Sequence, residues 1–218
     1  MTGLKERVLA AVAAEPSAAH AAVVRLRWRL LVGAGLVSLA LFVLAGGIRP
    51  TGRPVILWVA TSAGALVIAG VAAALAFGRG RSMLGRSAPV LVGIAVLTPL
   101  LLLAWKAGVS SLFEDMTRRW PERPGFRCLT LATATGIAPT AAMLYLWRRT
   151  APAHPRLTGL ALGIAAGALV WVLVDFWCPV GYFRHLLLGH VLPLVMFGAI
   201  GAAAGGLLAA RSESSTMS

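Results

Sequence analysis

The residues able to do chemistry gather around the chain's two cysteines. Cys128 opens an apolar run over residues 129–147, and Cys178 closes another over 157–177. Only a short polar turn, residues 148–156, separates these runs. If both cross a bilayer, the chain goes over and returns, and the two thiols end on one face by parity alone. Asp175, Trp177, Pro179, Arg184, His185 and His190 surround Cys178, a polar group in an otherwise oily sequence. A thiolate is both a metal ligand and a redox-active group. Three arrangements are open to the pair. One is a disulfide, if the Cα atoms come within about 7 Å. Another is a transient soft-metal site on Cys128 and Cys178, with His185 or His190 as accessory ligands, since imidazoles suit zinc and copper. The third is two small hydrophobic side chains packed at helix ends. Asp175 is the only acid inside an apolar run. A buried acid there is a functional candidate, but the end of its span is a few residues away. A solvated or arginine-paired carboxylate, available as a further accessory ligand, is therefore expected.

Composition says what must carry these groups. Hydrophobic residues make up 59% of the chain and charged residues 12%, with a mean hydropathy of +0.84. A soluble domain has roughly a quarter charged residues. The apolar residues also come in uncharged blocks of about 20, the length that spans a hydrocarbon core. The formal charge of +13 does not point to direct nucleic-acid binding, because the basic residues sit at the ends of apolar runs, where they anchor and orient helices. Two cysteines without CxxC spacing argue against a zinc ribbon or a thioredoxin-type motif. The N-terminus does not read as a secretory signal, since nearly thirty polar and small residues precede the first long run. The sequence contains no HExxH, GxSxG or phosphate-cradling glycine loop, and no paired intramembrane carboxylates. An enzyme, a small-molecule substrate and a resident cofactor are therefore not expected. A transporter would need polar groups in series across the membrane, and the sequence supplies no such series.

Taken in order, the apolar runs are 30–48, 55–77, 88–107, 128–147, 157–177 and about 186–210. They predict an all-α polytopic membrane protein with six transmembrane helices. This divides the chain into a tail over 1–29, a membrane domain over 30–210 and a short tail over 211–218. Within the first tail, Leu4, Val8, Leu9 and Val12 share one helical face. That face suits either a headgroup surface or a groove on a partner protein. Pro99, Pro139 and Pro193 fall inside spans, where neighbouring groups can satisfy the freed carbonyls. Gly159, Gly163 and Gly167 recur every four residues, as do Gly201 and Gly205, a pattern that lets membrane helices approach closely. Six spans place both termini on one side. Twelve of the 20 Lys and Arg fall on that side and eight on the other, so both termini are expected in the cytoplasm and both cysteines outside it.

Several of these features together resemble a bacterial family. They are Arg127-Cys128, the helix with Pro139, the stretch Trp147-Arg148-Arg149-Thr150-Ala151-Pro152 with Pro155, the glycines from Gly159 to Gly167, Cys178-Pro179 and the glycine-rich last span. The chain resembles the NrsF-like negative regulators of extracytoplasmic-function sigma factors. The resemblance implies an anti-sigma factor of the inner membrane, with an extracytoplasmic-function sigma factor and the lipid bilayer as partners. It further implies that the cytoplasmic tail holds the sigma factor and that Cys128 and Cys178 form the periplasmic sensing pair. The alternative is a small thiol- or metal-responsive membrane protein, or a transporter-like subunit, without a sigma partner.

Overall fold

A computed structural model of the protein describes residue 3 and residues 17–48, 54–77, 85–113, 125–148 and 152–216. Leu4, Val8, Leu9 and Val12 lie outside the described residues, as do the acids and bases at 114–124. Among the described residues there are only helices, and six stretches are long and apolar enough to span a membrane. The long helices are α1 (Ser17–Leu44), α2 (Val55–Phe77), α3 (Ala88–Ser111), α4 (Phe126–Trp147) and α5 (Pro155–Trp177). The sixth stretch starts as a single turn, α6 (Phe183–Leu186), passes through a π-helical turn (Leu187–Val191) and continues as α7 (Leu192–Thr216).

Helix boundaries differ from the apolar runs where local chemistry overrides hydropathy. α1 begins well before residue 30, because the alanine-rich stretch ahead of Arg25 holds good helix formers and no breaker. Its apolar part is Val24–Leu44. It stops at Leu44 because Gly46 and Gly47 both take positive φ (108° and 56°). The Gly47 and Gly46 amides then donate to the Phe42 and Val43 carbonyls, each at 3.0 Å, which is a Schellman closure. α3 runs past Ala107 to Ser111, so Lys106 is a helix-interior residue rather than a loop anchor. α7 likewise continues beyond Arg211.

α5 is the hub, touching α2, α3, α4 and α7. In its most apolar stretch 78% of the residues are buried, against 33% or less in every other span. Its glycine row is the reason one helix can meet so many neighbours. A Cβ added at Gly159 would collide with the Gly201 carbonyl, and one at Gly163 with the Phe197 carbonyl. α5 and α7 are thus in backbone contact along the predicted stripe. α1 is the opposite case. It packs chiefly on α4, only 11% of its apolar stretch is buried, and a cavity of about 410 Å³ opens beside it between Leu31, Ser38, Phe77, Met143 and Leu173.

Candidate functional site

The two cysteines meet at one end of the bundle. Cys128 is in the first turn of α4, and Cys178 directly follows α5, its amide donating to the Val174 carbonyl at 2.8 Å. Both are free thiols and both are buried. His185 lies between them, its Nε2 3.4 Å from Cys128 Sγ and 3.1 Å from Cys178 Sγ. His190 completes the group: one ligand atom from each of Cys128, Cys178, His185 and His190 lies within 4.8 Å of the other three. His190 is 1% exposed, and among the described residues neither of its ring nitrogens meets a partner at hydrogen-bonding geometry. Its ring centroid lies 4.9 Å from Trp171 and 5.7 Å from His185.

The π turn is what brings the two histidines together. On an α-helix, residues five apart point about 140° away from each other. His185 precedes the turn Leu187–Val191 and His190 lies within it, and the i→i+5 geometry adds residues to the turn and restores both rings to one face. Two glycines let α4 close on that turn. Gly125, at φ +92°, forms the left-handed entry to α4, and a Cβ on it would sit 3.0 Å from the His185 carbonyl. A Cβ on Gly189 would sit 2.9 Å from the Cys128 Cβ. The sequence puts the histidines near Cys178 but contains no periodicity signal for the π turn, because a single inserted residue leaves the apolar pattern around it unchanged.

Contrary to expectation, Asp175 is buried, and its ion-pair partner among the described residues is a lysine. It has no exposed surface and forms an ion pair with the equally buried Lys106 of α3. Thr61 and Ser62 of α2 donate to its Oδ2 at 2.8 and 2.7 Å. Its oxygens are engaged there, and it is not among the four gathered ligands. The physical reason is that α3 extends a further turn, carrying Lys106 inward on the face of Leu91, Ile94, Thr98, Leu102 and Ser110. Lys106, Thr61 and Ser62 are not among the candidate residues that the sequence puts forward. Their signals are a Thr-Ser pair inside a span and a lysine followed by seven uncharged residues.

Both layers are bound to the rest of the fold. Phe42, in the last turn of α1, shares one buried cluster with Cys128, Leu131, Val174 and Cys178. Ser38, one turn earlier, donates to the Thr135 carbonyl of α4 at 2.6 Å. Ser110, one turn beyond Lys106, packs so closely on Gly181 that a Cβ there would collide with it. The link carrying Cys178 is therefore seated on α3.

This geometry defines a class: a helical polytopic membrane protein with a closed thiol–imidazole centre at one end of its bundle. The particular family follows from comparison. The family model NrsF, described as negative regulator of sigma F, matches residues 9–210, and the chain belongs to that family. No curated protein and no solved structure matches it.

Proposed function

We propose that the protein is a non-enzymatic anti-sigma factor of the bacterial inner membrane. It holds an extracytoplasmic-function sigma factor at its cytoplasmic face and releases it when Cys128 and Cys178 register a redox or heavy-metal signal on the periplasmic side. The family description supports the regulator class, and the spans support residence in the membrane. Charge supports the orientation. With Lys106 inside the bundle, the side opposite the termini carries seven of the 20 Lys and Arg against twelve.

The observation that carries the reading is the placement of Phe42. The C-terminal end of α1 shares one buried cluster with both cysteines, and the N-terminal end of the same helix continues towards the tail. A change in the thiols thus bears on the one span that is loosely held and reaches the cytoplasmic segment as a single rod. A signal can shift such an equilibrium only through different affinities for the holding and releasing states. Joining the thiols, through a metal or as a disulfide, supplies that difference at the Phe42 contact.

The test is capture from native membranes with the full-length protein and with a form lacking residues 2–24, followed by mass spectrometry. The expected result is a sigma factor recovered with the full chain and lost with the tail. Cys128→Ser and Cys178→Ser should still capture it but fail to release it under oxidant or metal. If intact membranes yield no sigma factor, the regulator reading is wrong, and a thiol-responsive protein with another partner takes its place.

A further inference from the structure

Resting on the reading of the cysteines as a sensing centre, we infer that Cys128, Cys178, His185 and His190 form a closed site for one divalent d¹⁰ ion of the zinc class. We further infer that the Lys106–Asp175 pair beside it sets the charge of the ion it accepts. A tetrahedral zinc site with two sulfurs and two nitrogens has ligand–ligand edges of about 3.3–3.8 Å. The two Cys–His185 separations, 3.4 and 3.1 Å, are already at that scale, and all four atoms lie within 4.8 Å of one another. The nitrogens of His190, buried and without a well-formed hydrogen bond among the described residues, are the second indication. A buried imidazole without a hydrogen bond costs free energy, and coordination would supply the missing partner. Four protein ligands, each 3% exposed or less, leave no open position for substrate, so the site is of the structural or sensory kind.

The charge argument concerns valence. Loading breaks two S–H bonds, forms two sulfur–metal bonds and sends two protons to solvent, with no change of oxidation state. Two thiolates, two neutral imidazoles and a divalent ion sum to zero. A monovalent ion on both thiolates would leave one negative charge in a dry site, which is unfavourable unless it is paired. Among the described residues, the charges of the neighbouring layer are Lys106 and Asp175, and they cancel one another. Asp175 lies one helical turn before Cys178. The ion pair is therefore close enough for a net charge on it to reach the centre, and its neutrality is what favours a divalent ion.

The test uses purified, reduced full-length protein in nanodiscs, with Cd²⁺ and Ag⁺ as probes. One Cd²⁺ per chain is expected, with a ¹¹³Cd resonance in the two-sulfur, two-nitrogen range that is lost in Cys128→Ser and Cys178→Ser. In the wild type, neutrality requires two protons released per Cd²⁺ and one per Ag⁺, a measurement that needs no variant. Asp175→Asn leaves Lys106 as a net positive charge and should raise Ag⁺ affinity relative to Cd²⁺. A unit charge roughly 10 Å away at an effective dielectric of about 20 changes a binding constant roughly tenfold. Lys106→Gln should move the ratio the opposite way, and Lys106→Met/Asp175→Leu should return it to the wild-type value. Equal proton release for the two ions, or a ratio unmoved in both single variants, overturns the valence assignment while leaving the sensing centre standing. Absence of any Cys-dependent Cd²⁺ binding overturns the site itself.

Discussion

At Asp175 two hydroxyls and one ammonium converge on a carboxylate with no exposed surface. Such a group is stable only with its partners in place: removing one side of a buried pair costs about 3–5 kcal/mol, whereas replacing both by apolar residues is often neutral. Lys106→Met should therefore lower the unfolding free energy in detergent by about that amount, and Lys106→Met/Asp175→Leu should recover most of it. Denaturant or thermal unfolding followed by tryptophan fluorescence would decide, and equal losses in the two variants would show that the pair is not the unit. Asp175 itself was legible as an unusual acid in an apolar run. Its partner was not, because a lysine at the end of a hydropathic segment looks the same whether it reaches water or turns inward.

Among the helices, the α5–α7 contact is the part of the fold most directly written in residue types. Small residues every four positions permit backbone contact where lipid offers no hydrophobic drive to associate, and Gly159 and Gly163 each face an α7 carbonyl. Gly163→Ala should cost about 1–3 kcal/mol through overpacking. Gly93→Ala, where nothing lies within 4 Å of the added methyl, should change stability by no more than about 0.5 kcal/mol. Thermal unfolding of the two variants side by side is the check, and similar shifts would mean the stripe does not carry the packing. The π turn that carries His190 is the opposite case, a single-residue perturbation of the helical register with no counterpart in the spacing of apolar residues.

For the whole molecule, the question is how a change at one end of the bundle reaches the other. α1 is the least buried span and borders the cavity near Ser38. Its two fixed points on the cysteine side are the Phe42 packing and the Ser38–Thr135 hydrogen bond. Ser38→Leu places a larger side chain in that contact and should free α1 from α4. The expected outcome is sigma-dependent transcription without a signal, read with a promoter fusion, while Cd²⁺ binding by the purified protein is unchanged. Normal repression in this variant would remove α1 as the connecting rod.

What the sequence determined by itself is whatever follows from the bilayer as solvent. Six apolar stretches of spanning length, the return of both cysteines to one end and the glycine seam in the fifth span are each a local consequence of residue type and count. The tertiary structure alone decided which polar groups share a space. It turned Lys106 inward onto Asp175, set Thr61 and Ser62 above the same carboxylate, and used a π turn to aim His190 at the two thiols. These are contacts between residues as much as 114 positions apart in the chain. They depend on helix rotation and on single-residue changes of register, quantities that hydropathy averages away.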